Sequence, residues 1–201
     1  MTTPWVLLRR DDQVVERWRN GGGTTRTVAI DPPGASVAAG FSWRISVADV
    51  AQDGPFSAMP GVDRSLWLLD GNGVELQCGD SVTTLRERFQ RLDFVGEAPI
   101  GARLLGGPVR DLNVMTRRGA VHAVAAVHDV PAAARCTIDP DGASCIVLLA
   151  LRGRLVVRFG DGVVALEAGD ALRIDRGEPA LVAADGGEAA FLGVGFRSAQ
   201  R

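Results

Sequence analysis

The sequence predicts an all-β protein built as two small barrels in one chain. Three observations carry this. No long stretch repeats its apolar residues with the helical period. Short apolar or alternating runs recur instead, separated by Gly, Pro and Asp. The middle and last thirds repeat one order of strand, glycine turn and strand. The 201 residues suffice for one large domain or two small lobes.

The elements follow in order. Residues 5–9 read as a strand. Residues 24–30 read as another, closed by the turn signal Asp31-Pro32-Pro33-Gly34. Residues 41–47 alternate, with Phe41, Trp43, Ile45 and Val47 on one face and Ser42, Arg44 and Ser46 on the other. Residues 65–69 run into Asp70-Gly71-Asn72-Gly73 and return as 74–77, a hairpin. Residues 83–94, 102–105, 112–116 and 121–127 read as further strands. The Ala-rich segment 130–135 is the one place where a short helical turn is expected. Strands then follow at 145–151, 155–159, 163–166, 171–174, 181–184 and 189–196, with length and spacing that suit a small closed barrel. Leu66 to Leu76 parallels Val147 to Val157 in this order, which implies two lobes of like fold. The lobes are placed at 1–118 and 119–201, with exchange of strands between them left open.

Composition narrows the function. Hydrophobic residues make up 46% of the chain, which excludes a disordered polymer. The net charge of −2 comes without clustered positive charge, so neither nucleic acid nor a membrane is expected as a partner. Every basic residue is Arg, and Lys and Tyr are absent. Anion recognition therefore falls to Arg, whose planar fork suits carboxylates. Schiff-base lysine chemistry and tyrosine acids are excluded. The cysteines Cys78, Cys136 and Cys145 show no metal-type spacing. With no secretory pattern and no apolar run of membrane length, a cytoplasmic location with reduced thiols is expected.

Several segments carry a family resemblance. Gly153-Arg154-Leu155 followed by Leu166-Glu167-Ala168-Gly169-Asp170-Ala171-Leu172 looks like a cupin barrel pattern. In the first half, the run from Trp18-Arg19-Asn20 to Thr25 comes first. Phe41-Ser42-Trp43-Arg44-Ile45-Ser46-Val47-Ala48 follows, then Gly54-Pro55-Phe56-Ser57 with Pro60-Gly61-Val62-Asp63-Arg64, and later Asp111-Leu112-Asn113-Val114-Met115. In this order they resemble the HutD/Ves family of double cupins, over most of the chain. The resemblance implies a bicupin, two jelly-roll-like barrels in one chain, in a cytoplasmic bacterial protein. It implies a link to histidine utilisation with a modulating or ligand-sensing role, or, for the Ves branch, to environmental stress.

Metal cupins gather several His and a Glu on facing strands, because the ion needs three or four convergent donors. This chain has only His122 and His128. On one strand they would lie about 20 Å apart. No metal and no cofactor are expected.

The run Asn20-Gly21-Gly22-Gly23-Thr24-Thr25 has two readings. It is a tight turn with positive φ, or bare backbone whose N–H groups hold a carboxylate. On the second, Gly22 offers its N–H, Asn20 orients the ligand and Thr25 donates its hydroxyl. Arg44 and Ser46 face solvent if the Trp43 face is the core, and an enclosed space if the strand is covered on both sides. A buried Arg44 demands an anion, either Asp49 or Asp63 or a ligand carboxylate. Arg64 is a second clamp, with Asp63 as its competitor. Trp18 and Phe56 supply apolar walls. Asn113 and Met115 share one strand face. The resemblance favours the pocket reading for these residues.

No nucleophile–base pair can be assembled from spacing, so the reading leans away from catalysis. The expectation is a metal-free binder of a small carboxylate metabolite. The alternatives are a metal-independent isomerase or hydrolase on the same ligand class and a scaffold that binds a partner protein. Oligomeric state is open, a homodimer included.

Overall fold

The computed structural model describes residues 5–175 and 179–199. The strands in chain order are β1 (Trp5–Leu8), β2 (Val15–Arg17), β3 (Gly23–Asp31), β4 (Trp43–Val50), β5 (Gly54–Pro55), β6 (Val62–Asp70) and β7 (Val74–Cys78). Then come β8 (Ser81–Leu85), β9 (Arg91–Val95), β10 (Ile100–Leu104), β11 (Val109–Arg117), β12 (Val121–Val130) and β13 (Arg135–Ile138). The last are β14 (Cys145–Arg152), β15 (Leu155–Phe159), β16 (Gly162–Leu166), β17 (Ala171–Asp175), β18 (Ala180–Ala184) and β19 (Ala189–Ser198). No α-helix occurs among the described residues.

The chain divides into two units. One is Val14–Ala120. The other joins the described residues before Val14 to the chain from Val121 onward. A linear division at 118/119 therefore misplaces the first strand. Trp5–Leu8 pairs antiparallel with β17, so Trp5 lies opposite Ile174 and Leu8 opposite Ala171. Asp170 fastens it. Its carboxylate accepts hydrogen bonds from the Arg10 amide at 2.9 Å, the Arg9 guanidinium at 2.6 Å and the Glu167 amide at 3.1 Å.

Each unit is a jelly roll. Strands β4–β11 form one sheet in the order β4-β11-β6-β9 and a facing sheet β5-β10-β7-β8. Strands β12–β19 repeat this as β12-β19-β14-β17 and β13-β18-β15-β16. An eight-stranded roll with this double interleaving buries the inner faces of both sheets against each other. Strands β2 and β3 extend the first unit's larger sheet beyond β4, and β1 extends the second unit's beyond β17.

The repeat seen in sequence is real. Past the turn its register holds, with Val74 paired to Leu85 where Leu155 is paired to Leu166, but in the strand before the turn it shifts by one. Leu66 lies between Asn113 and Leu92, and the residue in that place in the second unit is Leu148, between Gly193 and Leu172. The sequence parallel instead matched Leu66 with Val147. One residue of slip reverses the face of every side chain.

Two local expectations also change. The run 83–94 is two strands, because residues 86–90 form a turn in which the Gln90 side chain accepts the amides of Arg86 and Glu87 at 2.8 and 3.3 Å. The segment 130–135 contains no helix. Val130 ends β12, and a turn follows in which the Ala134 amide donates to the Pro131 carbonyl at 3.0 Å.

Candidate functional site

The inward face of the larger sheet in the unit Val14–Ala120 is set by three cross-strand rows. Arg44, Met115, Arg64 and Phe94 form the first, Ser46, Asn113, Leu66 and Leu92 the second, and Ala48, Asp111 and Leu68 the third. Strand alternation places all of them on one side. The opposite side carries Trp43, Ile45, Trp67 and Leu112, which are also buried. Arg44 thus sits on a strand buried on both faces, the second of the two arrangements open from sequence.

These rows line a cavity of about 660 Å³ that lies wholly within this unit. Trp18, Asn20, Thr25, Arg44, Ser46, Phe56, Arg64, Asn113 and Met115 all border it. Gly22 does not. Its amide donates to the Asn20 side chain at 3.0 Å, and its carbonyl accepts from the Ala51 amide. The N–H expected to meet a ligand is engaged inside the turn.

Each of the three glycines has a structural reason, and for Gly22 it is that a Cβ would stand 3.3 Å from Asn20 Oδ1. Gly21 has φ +71°, a region that favours glycine. A Cβ on Gly23 would stand 2.4 Å from the Asp49 carbonyl and 3.1 Å from the Trp18 ring. The run brings Trp18 flat against β3, where its Nε1 donates to Thr25 Oγ1 at 2.8 Å. Thr25 Oγ1 accepts this bond, and its hydroxyl proton, the group expected to serve a ligand, is left to donate.

The charged groups are deeply placed. Arg44 is 4% exposed, Arg64 5%, and Asp111 and Asn113 3% each. Neither arginine pairs with a carboxylate. Arg44 donates through Nε and Nη2 to Thr27 Oγ1 at 3.2 and 2.7 Å. Arg64 donates through Nη2 to Asn113 Oδ1 at 2.8 Å, and through Nη1 to the Ser57 carbonyl at 3.5 Å, the limit of contact. Its Nε is buried with no acceptor. The guanidinium lies against both the Phe56 and Phe94 rings, 5.0 and 4.8 Å from their centroids, and the rings meet each other edge to face, a cation–π position that holds its orientation.

The anions proposed from sequence as competitors are engaged elsewhere. Asp49 pairs with Arg110 at 2.8 Å and Asp63 with Arg118 at 2.7 Å. Both sit at odd offsets from the buried arginines and so face the other way.

Burial lowers the pKa of both arginines. For Arg64 the value falls to about 10, with Asp111 opposing the shift and Arg44 adding to it. For Arg44, Glu16 opposes it. Asp111 moves the other way, up to about 7, chiefly by desolvation; Arg64 and the Asn113 hydrogen bond offset part of this. Asn113 joins the two, since its Nδ2 donates to Asp111 Oδ1 at 2.7 Å while its Oδ1 faces Arg64.

Sequence reasoning missed Asp111, Thr27 and Phe94. For Asp111 a signal existed: it shares strand parity with Asn113 and Met115. Thr27 and Phe94 reach the site through pairing and packing of distant segments.

The site lacks the donors of a metal cupin. Among the described residues, no three His, Cys, Asp or Glu side chains come together to hold an ion. The cavity's deep polar groups are arginines, an amide, hydroxyls and one aspartate.

A doubled jelly roll with a polar cavity inside one barrel defines a bicupin. The chain belongs to the HutD family, whose model matches residues 10–192. It is similar to Protein Ves of Cronobacter sakazakii, 40% identical over 116 residues, which is 57% of this chain and 62% of that protein. The chain thus spans less than two thirds of the length of that relative. It is also similar to an uncharacterized 21.2 kDa protein in the hutC 3′ region of Pseudomonas putida, 35% identical over 54% of this chain and 56% of that one.

Among solved structures, HutD from Pseudomonas fluorescens superposes with a TM-score of 0.76 at 26% identity, covering 96% of this chain and 99% of that one. A conserved protein of unknown function from Pseudomonas aeruginosa gives 0.84 at 25% identity, covering 96% and 98%. Oxalate decarboxylase from Lactobacillus farciminis shares the fold alone, at 0.72 and 9% identity over 98% and 89%. No helix among the described residues is long and apolar enough to cross a membrane.

Proposed function

We propose that the chain is a metal-independent binding protein for a small carboxylate metabolite, acting as a sensor or modulator of histidine utilisation. One observation carries the reading: Arg44 and Arg64 are buried, flank Met115 in one row, and lack a carboxylate partner. Two desolvated cations facing a cavity are costly unless an anion completes them. A planar carboxylate is the partner that guanidinium groups match best. The cavity is of the size that takes a small metabolite. The HutD family membership and the hutC-linked relative support the metabolic setting.

Isothermal titration with formate, acetate, succinate, glutarate and glutamate tests this. At least one should bind saturably and without turnover. Arg44→Ala and Arg64→Ala should each weaken it by about 2–5 kcal/mol with little change in thermal midpoint. Binding by both variants at wild-type strength would remove the arginines from the site. Unfolding of both would make them structural.

A second reading has one observation behind it. A buried carboxyl that titrates near neutrality, as Asp111 does, is what general acid–base catalysis requires. Conversion of a bound probe in the presence of chelator, lost in Asp111→Asn, would establish a metal-independent isomerase or hydrolase.

A further inference from the structure

Asp111 is the one carboxyl of the unit Val14–Ala120 that is both deeply buried and on the cavity wall. It has no cation within ion-pair distance. Its side-chain partner is the Asn113 amide, which is also the partner of Arg64. The amide can satisfy this arrangement in one orientation only, with oxygen toward the guanidinium and nitrogen toward the carboxyl. The three groups therefore form a fixed line from the cation to the acid.

We propose that Asp111 makes anion capture proton-linked: a carboxylate that settles between Arg44 and Arg64 enters together with one proton, held by Asp111. This rests on the carboxylate-binding reading above and says how that site is regulated. The balance is simple. The ligand arrives as an anion, water supplies the proton, and the cavity gains no net charge. Without the proton, two carboxylates would share one dry space with two cations joined to them unequally, and like charges in such a space raise the affinity for a proton.

The groups around Asp111 support this. On its own strand it meets Asn113, while Arg110 points to the other face with Asp49. Strand β4 presents Ala48 beside it, with Ser46 and Arg44 further along. Strand β6 presents Leu68, Leu66 and Arg64. Glu16 and Arg17 of β2, Arg19 after it and Asp53 after β4 border the cavity, and from the facing sheet Gly54 and Ala102 contribute no charge. Asp49 pushes Asp111 toward its protonated form, and Arg64 pushes against it. The unit holds no histidine and one cysteine, Cys78, which is not on the cavity wall. Burial already poises Asp111 at about 7, so a modest further rise on binding falls in the physiological range.

The sign follows from linkage. The bound state favours protonated Asp111, so affinity is full below pH 7 and declines above it. The experiment is titration of the wild-type protein with the tightest probe from formate, acetate, succinate, glutarate and glutamate, from pH 6 to 8.5. It is repeated in buffers of different ionisation heat to count protons. The expected result is roughly tenfold weaker binding at the upper end, with uptake of about half a proton near pH 8. Asp111→Asn, which has no proton to gain or lose, should bind with no pH dependence. Binding with a flat pH profile and no proton uptake in the wild-type protein would overturn the inference and leave the carboxylate reading standing. An unchanged profile in a folded Asp111→Asn would assign the proton to another group and overturn it as well. Failure of every probe to bind would overturn both. The proton count needs no substitution, so it decides the matter even if the variant does not fold.

Discussion

The two units share one topology and differ in what their inner faces carry. In the first, the rows read Arg44–Met115–Arg64–Phe94, Ser46–Asn113–Leu66–Leu92 and Ala48–Asp111–Leu68. In the second, the same places hold Val124–Gly195–Ile146–Ile174, Ala126–Gly193–Leu148–Leu172 and His128–Phe191–Ala150. Where the first unit has guanidinium, amide and carboxyl groups, the second has glycine and hydrocarbon. His128 stacks on Phe191 at 4.8 Å and fills the space over Gly193. Leu148, Leu155, Leu166, Leu172 and Phe191 are fully buried. In the described residues the second barrel buries hydrocarbon on β14, β17 and β19, while its β12 places Val124 and Ala126 are exposed; its twin keeps a polar hollow. The fold permits either, and a few inward positions decide between them.

Exchanging residues between equivalent places tests this contrast. The largest effect is expected from Phe191→Asp, which gives β19 the acid that β11 carries. It removes a buried ring and strands a charge in hydrocarbon, at a cost of more than about 4 kcal/mol, measured by denaturant unfolding. Next is the stability of the wild-type protein against pH. Asp111 holds its proton up to about 7 when folded and releases it near 3.8 when unfolded. The folded state is thus the better proton binder between those values, and stability falls as pH rises through that window. The difference between wild type and Asp111→Asn should change by on the order of 4 kcal/mol from pH 4 to 7, read from paired urea melts.

The third exchange runs the other way. Arg44→Val with Arg64→Ile installs the second unit's residues in the first. Folding stability should stay within about 2 kcal/mol of wild type or rise, because a well-packed apolar pair replaces desolvated charges, while carboxylate binding disappears in titration. The smallest effect belongs to Trp18→Phe, which keeps the wall and loses the hydrogen bond to Thr25, for about 1 kcal/mol. Thermal unfolding should register it.

The fold was legible because turns announce themselves. Asp70-Gly71-Asn72-Gly73 and Arg152-Gly153-Arg154 mark the same hairpin in both units, and period-two runs flank them. The register between units was legible past the turn, where Val74 corresponds to Leu155, and not before it. The ladders shift at Arg110/Asp111 and at Ala150/Arg152, and such irregularities leave no local signature in hydrophobic pattern. The site was half legible. Alternation grouped Arg44 with Ser46 and Asn113 with Met115, but which face was enclosed depended on burial of both. Asp111 was not singled out because its environment comes from β4 and β6, distant in sequence. The glycine run looked like a ligand loop, and its reasons are Asn20, Asp49 and the Trp18 ring.

The placement of Trp5–Leu8 beside β17 has a consequence for biosynthesis. This strand is made early, yet its partner Ala171–Asp175 follows more than 160 residues later. At ordinary elongation speed it waits roughly ten to thirty seconds without a ladder to join. Meanwhile the segment from Val14 to Ala120 can complete its own roll first. The nascent chain thus carries an unpaired β-strand until that partner emerges, a period in which chaperone occupancy or premature pairing with another chain would decide the yield of native protein.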